Sequence, residues 1–298
     1  MSLLQQASTI QSLQVIKLKI HNNKTFTPNS TYQIHLTTLL TSLNSTATTD
    51  NTRFHKATAT GQTDTVYGLY TCEGDARPRA CGQCVDSAIR VATSECRWSK
   101  EAIVWNNGGA CMVRYANYSF FSKMETNPRV VVDSEADIAA KQRGRFGEKV
   151  EETLKEVVGE IEGGGGGVRF ARKEAFLGVK EAFGVDAEGL LRMESVGECS
   201  WDVSDEDCGE CLRGVLGDMK GCCVGKEGGA VMYPSCFLRF ELDKDGVSPT
   251  RKAKGESWII IIVVSLGVVL VLLSCFALYI SRKKKSKSYK AILREYCK

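Results

Sequence analysis

Tyr32, Leu36, Leu39, Leu40 and Leu43 recur at steps of three and four residues and mark the apolar face of a helix. Cys81, Cys84, Val85, Ala88, Ile89 and Ala92 do the same for a second helix. The period then shortens. AIVW (102–105) and CMVRY (111–115) are short runs of β-type residues and predict strands. The same order comes round again. Phe146, Val150, Leu154, Val157 and Ile161 repeat the first helical face, and Cys208, Cys211, Leu212, Val215 and Met219 repeat the second. AVMYPSC and FLRFEL supply the later strands. The glycine run 163–167 predicts a flexible loop rather than a phosphate cradle, because no Lys-Ser/Thr pair opening a helix follows it.

The cysteines make the repeat explicit. Cys72, Cys81 and Cys84 have the spacing C-x8-C-x2-C, and Cys199, Cys208 and Cys211 reproduce it 127 residues later. Cys111 and Cys236 continue the match at an offset of 125. Three equal offsets and a near match point to a tandem duplication. Each copy reads as two helices over an antiparallel sheet, an α+β unit.

Composition changes this picture little, but charge and hydropathy extend it. The net charge is +4 over 298 residues, of which residues 281–298 carry +7 through eight Lys or Arg and one Glu. The first 280 residues therefore sum to −3, and a nucleic-acid surface on the folded part is disfavoured. Just before the basic tail, residues 258–280 form 23 uncharged positions, WIIIIVVSLGVVLVLLSCFALYI. At 1.5 Å per residue such a helix crosses a hydrocarbon core of roughly 30 Å. Trp258 and Tyr279 stand at its ends, where aromatic rings favour the interface. Arg282, Lys283, Lys284, Lys285, Lys287 and Lys290 outweigh Arg251, Lys252 and Lys254, so the tail is expected in the cytosol and residues 1–257 outside it. The first twenty residues hold no apolar run long enough for a signal-peptide core, and the N-terminus is read as cut short upstream.

Thirteen cysteines are too many for an ordinary cytosolic enzyme and leave three readings open: structural disulfides, zinc or thiol redox chemistry. The exported topology favours disulfides. The histidines His21, His35 and His55 lack ligand spacing, and no metal or cofactor is expected. Sequons at Asn23, Asn29, Asn44 and Asn117 suit an exported glycoprotein. Cys275 lies inside the apolar run, and Cys297 in the tail is a thiol or an acylation site.

The combination of YGLYTC before C-x8-C-x2-C, the NSTYQIHLTTLLTSL helix and the CMVRY and PSCFLRFEL strands resembles the plant ginkbilobin-homologous, or stress-antifungal, domain. Tandem copies before one apolar span are similar to the ectodomains of cysteine-rich receptor-like kinases and plasmodesmata-located proteins. The resemblance implies two helices packed on a five-stranded antiparallel sheet in each copy. It also implies the bridges Cys72–Cys81, Cys84–Cys111, Cys199–Cys208 and Cys211–Cys236. The family's third bridge joins a cysteine near the domain start to the position of Cys96. No cysteine precedes Cys72, so Cys96 is left unpaired, and an upstream truncation would explain both this and the missing signal. Cys222 and Cys223 are also without assigned partners, free to bridge each other or to stay thiols. The secreted antifungal member's mannose site uses an Asn, an Arg and a Glu. The Asn follows the missing cysteine; the Arg position falls on Trp105 and Ala230, and the Glu position on Ala116 and Glu241. Glu241 alone keeps the family residue.

The expected organisation is an atypical N-terminus 1–22, domains 23–127 and 141–245 separated by a linker 128–140, a juxtamembrane stretch 246–257, the span 258–280 and the tail 281–298. The expected function is non-catalytic recognition and signalling in stress or defence at the plasma membrane, either its general surface or plasmodesmata. Expected partners are an extracellular ligand, with carbohydrate one candidate, a co-receptor, and related ectodomains in homo- or hetero-oligomers. The basic tail suits anionic lipid at about 1 kcal/mol per basic residue, and phosphorylation at Ser286, Ser288 or Tyr289 would weaken that attraction. The alternatives are a membrane-anchored mannose-binding lectin and a fragment of a receptor-like kinase. No catalytic-loop HRD or metal-binding DFG is present.

Overall fold

A computed structural model describes residues 17–19, 24–50, 52–179 and 190–243. The span 258–280, the tail with Cys297, and the sequon at Asn23 lie outside the described residues. No helix among the described residues is long and apolar enough to cross a membrane.

The chain forms two antiparallel sheets of five strands, each with two helices on one face. The first copy comprises β1 (Lys17–Lys19), α1 (Thr31–Thr49), β2 (Phe54–Thr60), β3 (Thr65–Cys72), α2 (Pro78–Glu95), β4 (Ala102–Asn106) and β5 (Cys111–Ala116). The second comprises β6 (Val130–Asp133), α3 (Arg143–Gly163), β7 (Phe170–Val179), β8 (Leu190–Cys199), α4 (Asp205–Cys222), β9 (Gly228–Met232) and β10 (Cys236–Asp243). Strand orders β1-β4-β5-β3-β2 and β6-β9-β10-β8-β7 are the same topology twice.

The helices form where the apolar periodicity places them. Tyr32, Leu36, Leu39, Leu40 and Leu43 are buried on α1, and Phe146, Val150, Leu154, Val157 and Ile161 on α3. Ser30 caps α1 by accepting from the Gln33 amide, and Ser204 caps α4 by accepting from Asp207. Pro78 opens α2, where a missing N–H costs nothing. The glycine run ends α3; Gly165, Gly166 and Gly167 take positive φ values of 59°, 54° and 111°, which residues with a Cβ adopt at a cost.

Two edge strands fall where the sequence suggested no domain. β1 lies in the segment read as an atypical N-terminus, and β6 in the segment read as a linker. Both are short, and periodicity over three or four residues is too weak to mark them. β1 gives the first sheet its fifth strand, and residues 17–71 contain no cysteine. Among the described residues Cys96 has no partner.

Both faces of each sheet are covered. On β5, Cys111, Val113 and Tyr115 join the helix-side core, while Met112 and Ala116 join a third core between the sheets. That third core unites Leu69, Ile103 and Trp105 of the first copy with Val130, Val196 and Phe237 of the second. Burial on both faces explains why the central strands read as continuous apolar runs.

Candidate recognition sites

The cysteines sit where the second helix of each copy meets its sheet. Cys72 and Cys111 are register partners on β3 and β5, and they bridge to Cys81 and Cys84, one turn apart on α2. Cys199 and Cys236 are partners on β8 and β10 and bridge to Cys208 and Cys211 on α4. The four Cα–Cα separations, 5.6, 6.1, 5.7 and 6.1 Å, lie in the normal disulfide range. Each pair of bridges ties a helix N-terminus to two neighbouring strands.

Cys96 and Cys223 occupy the same place, the C-cap of the second helix. Cys96 is buried and free, and burial pushes its thiol up to about 11, with Glu95 adding to the effect. Cys223 is bridged to its neighbour Cys222. The bridge is one of the two states left open on sequence. The first copy cannot do the same, since Glu95 stands where Cys222 stands in the second.

The family's sugar positions are consumed by packing. Trp105, Ala116 and Ala230 are buried in the core between the sheets. Glu241 stands opposite Glu194 in the β8–β10 register, half-buried on the same side. An Arg and a Glu aimed outward from a lone domain would here face the partner sheet, so apolar residues replace them.

A charged cluster seals one edge of the contact between the sheets. Glu73 of the β3–α2 loop accepts from Arg239 at 2.5 Å and pairs with Arg172 at 3.1 Å. Arg172 also pairs with Asp75 at 2.9 Å and Glu194 at 2.5 Å. Glu198 reaches back from β8: the Gly74 amide donates to it at 2.9 Å and the Thr71 hydroxyl at 3.4 Å. Burial, then the charge of Glu73, raises the Glu198 carboxyl well above its usual range. The other edge is closed by the 117–129 segment. The Ser122 amide donates to Asp202 at 2.8 Å and the Glu125 amide to the Ser235 hydroxyl at 2.8 Å. Arg114 lies over the Phe120 ring at 3.9 Å and pairs with Glu125 at 2.5 Å. None of these contacts was legible beforehand. The only trace is the alternation of charge along β7 and β8 (Arg172 and Glu174; Arg192, Glu194 and Glu198), set opposite the apolar positions Ala171, Ala175, Leu191 and Met193 of the helix-side core.

The sequons fall in different settings. Asn29 is exposed just before the α1 cap. Asn44 is half-buried on α1, and its amide donates to Asp86 on α2 at 3.2 Å. Asn117 is half-buried after β5. Among the described residues no group of three or more His, Cys, Asp or Glu is placed to hold a metal ion.

The fold and its bridges define a tandem, disulfide-stapled α+β ectodomain class. Residues 19–118 and 134–243 match the salt stress response/antifungal domain, and the chain belongs to that family. It is 31% identical to cysteine-rich receptor-like protein kinase 25 of Arabidopsis thaliana over 223 residues, covering 74% of this chain and 31% of that protein. It is 29% identical to cysteine-rich repeat secretory protein 8 of Arabidopsis thaliana over 241 residues, 78% of this chain and 80% of that one. The chain thus spans about a third of the receptor-like kinases it matches. The crystal structure of the tandem DUF26 ectodomain of the Arabidopsis thaliana cysteine-rich receptor-like protein PDLP5 aligns with a TM-score of 0.58 at 26% identity, over 76% of this chain and 98% of that one. The PDLP8 ectodomain aligns at 0.60 with 20% identity, over 76% and 95%, and bears on the fold alone.

Proposed function

We propose that the chain is a non-catalytic recognition and signalling module of the cell surface, whose paired domains bind an extracellular ligand or co-receptor. The observation that carries this reading is the core between the sheets, which packs the two domains against each other; the likeness to a receptor-like ectodomain supports it. Four loop-closing disulfides support an oxidising compartment. The apolar run 258–280 followed by six basic residues supports a single span with residues 1–257 outside and the tail on anionic lipid. A membrane-anchored mannose lectin is the weaker reading, because three of the four Arg and Glu positions are apolar and packed.

Two measurements test the proposal. A C-terminal fluorescent fusion in plant cells is expected at the cell boundary, in plasmodesmal spots or around the whole membrane, with the N-terminal domains cleaved by external protease. Fluorescence confined to the cytosol or nucleus overturns the topology. On a glycan array the protein is expected to show no binding that mannose competes away; competed binding would restore the lectin reading.

A further inference from the structure

The duplication supplies an internal control for every packing feature. α2 and α4 correspond at an offset of 127 residues, and the buried faces of α1 and α3 at 114. In the second copy the crevice between the helices is filled. Val158 and Met219 are buried there. Val224 lies so close to Gly147 that a Cβ on the glycine would come 2.4 Å from its Cγ1. Glu151 and Lys220 pair across the crevice at 2.8 Å.

The first copy has a different residue at each of these places. Val158 becomes Asn44, Met219 becomes Ala92, Gly147 becomes Gln33 and Val224 becomes Arg97. The Glu151–Lys220 pair becomes two threonines, Thr37 and Thr93. The helices therefore enclose a solvent-reaching cavity of about 540 Å³. That is the size of a small-molecule site, roughly 300–1,000 Å³. The same fold with Val158, Met219 and Val224 packed at these places stands 127 residues away, so the fold does not dictate the lining.

Its lining specifies a ligand chemistry. Phe26 and Trp98 meet edge to face at 5.8 Å, and Trp98 is 38% exposed, leaving ring surface for stacking. The Arg97 guanidinium lies 5.9 Å from the Trp98 ring centre and forms no ion pair with a described residue. The Asn44 Oδ1 is buried without a donor, although its amide is engaged by Asp86. An uncharged Cys96 thiol and Leu40 make the floor apolar. A flat ring, an anionic group for Arg97 and a hydrogen-bond donor for Asn44 are all wanted at once.

We propose that the cavity between α1 and α2 of the first domain binds a small aromatic carboxylate that carries a ring hydroxyl. The inference deepens the recognition reading, but it is measured in vitro, so failure of localisation and failure of binding are separate results.

The test uses the full chain in phosphatidylcholine nanodiscs with 6-hydroxy-2-naphthoate as the probe. The control is Asn44→Val/Ala92→Met, which installs the second copy's residues, with Ala92→Met alone as a milder closure; unchanged melting temperature shows that each is folded. Lipid partitioning is equal in all samples and subtracts. The wild type is expected to bind one probe per chain saturably, and the closed variants to bind at least about tenfold more weakly, about 1.4 kcal/mol. Arg97→Val is expected to weaken hydroxynaphthoate and leave neutral 2-naphthol unchanged. No saturable binding by the wild type up to about 1 mM, equal binding by a folded closed variant, or an equal effect of Arg97→Val on both probes overturns the proposal.

Discussion

The five disulfides among the described residues close very different loops, and this sets what each contributes. Cys84–Cys111 spans 27 residues and Cys211–Cys236 spans 25, whereas Cys222–Cys223 spans one. In the chain-entropy account the loss for a closed loop is about 2.1 cal/mol/K plus 1.5R times the logarithm of loop length. At 25 °C that gives about 3.5 kcal/mol for either long loop and about 2.6 kcal/mol for the nine-residue loops. The vicinal pair closes no loop, so its removal costs packing alone, about 1 kcal/mol for the sulfur of the fully buried Cys223. For a body of this size, 1 kcal/mol corresponds to about 2–4 °C. Replacing Cys84 and Cys111 together by alanine should therefore lower the melting temperature by about 7–14 °C. Cys222→Ser/Cys223→Ala should lower it by about 2–4 °C. Scanning calorimetry under oxidising conditions reads both. If the vicinal double variant falls as far as the Cys84/Cys111 variant, stabilisation does not follow loop closure and the reasoning fails.

Three further outcomes follow from named contacts. Glu198 holds its proton more tightly folded than unfolded, so between its unfolded value near 4.5 and its raised folded value the folded state binds more protons; stability from this group is greatest below about pH 4.5 and falls as pH rises to the folded value. Urea midpoints from pH 5 to 8 should decline less in Glu198→Gln than in the wild type, and parallel curves would refute the assignment. Trp105→Ala, which empties part of the core between the sheets, should cost about 3–5 kcal/mol by urea unfolding, and a loss under 1 kcal/mol would place Trp105 outside that core. Peptide mapping of the glycoprotein should find glycan on exposed Asn29 and none on Asn44, whose amide is engaged by Asp86; an occupied Asn44 would contradict that contact.

Legibility in the sequence followed how much chain each element uses. α1 to α4 were readable because each spans four or more turns and repeats its apolar face. β4, β5, β9 and β10 were readable as apolar runs because both their faces are covered. β2 escaped notice: as an edge strand it alternates small and polar residues, FHKATAT, and its residues are half-buried or exposed, none fully buried. β7 and β8 escaped because their apolar positions, Ala171 and Ala175 on one and Leu191 and Met193 on the other, are few and alternate with the charges Arg172, Glu174, Arg192 and Glu194. Arg172 acquires its partners only once Glu73 and Asp75, about a hundred residues earlier, are brought against it. The core between the sheets was likewise invisible, since apolar runs reveal that a strand is buried on both faces but not what covers the second one.

The core between the sheets occupies three of the four Arg and Glu positions that the resemblance gives for a sugar site. One face of each sheet carries the helices and the other turns toward the second copy. Polar ligand-binding groups left at Trp105, Ala116 and Ala230 would be buried against apolar neighbours with no partner, at about 1–3 kcal/mol each. Packing converts that loss into a gain, and at the rim Glu73 finds two arginines. Once the outer faces are used, recognition has to move to surfaces the copies do not share. The crevice between α1 and α2 is such a surface: it is open in the first copy and filled in the second, so the residues that differ there, Asn44, Ala92 and Arg97 against Val158, Met219 and Val224, are where the two halves have taken separate roles.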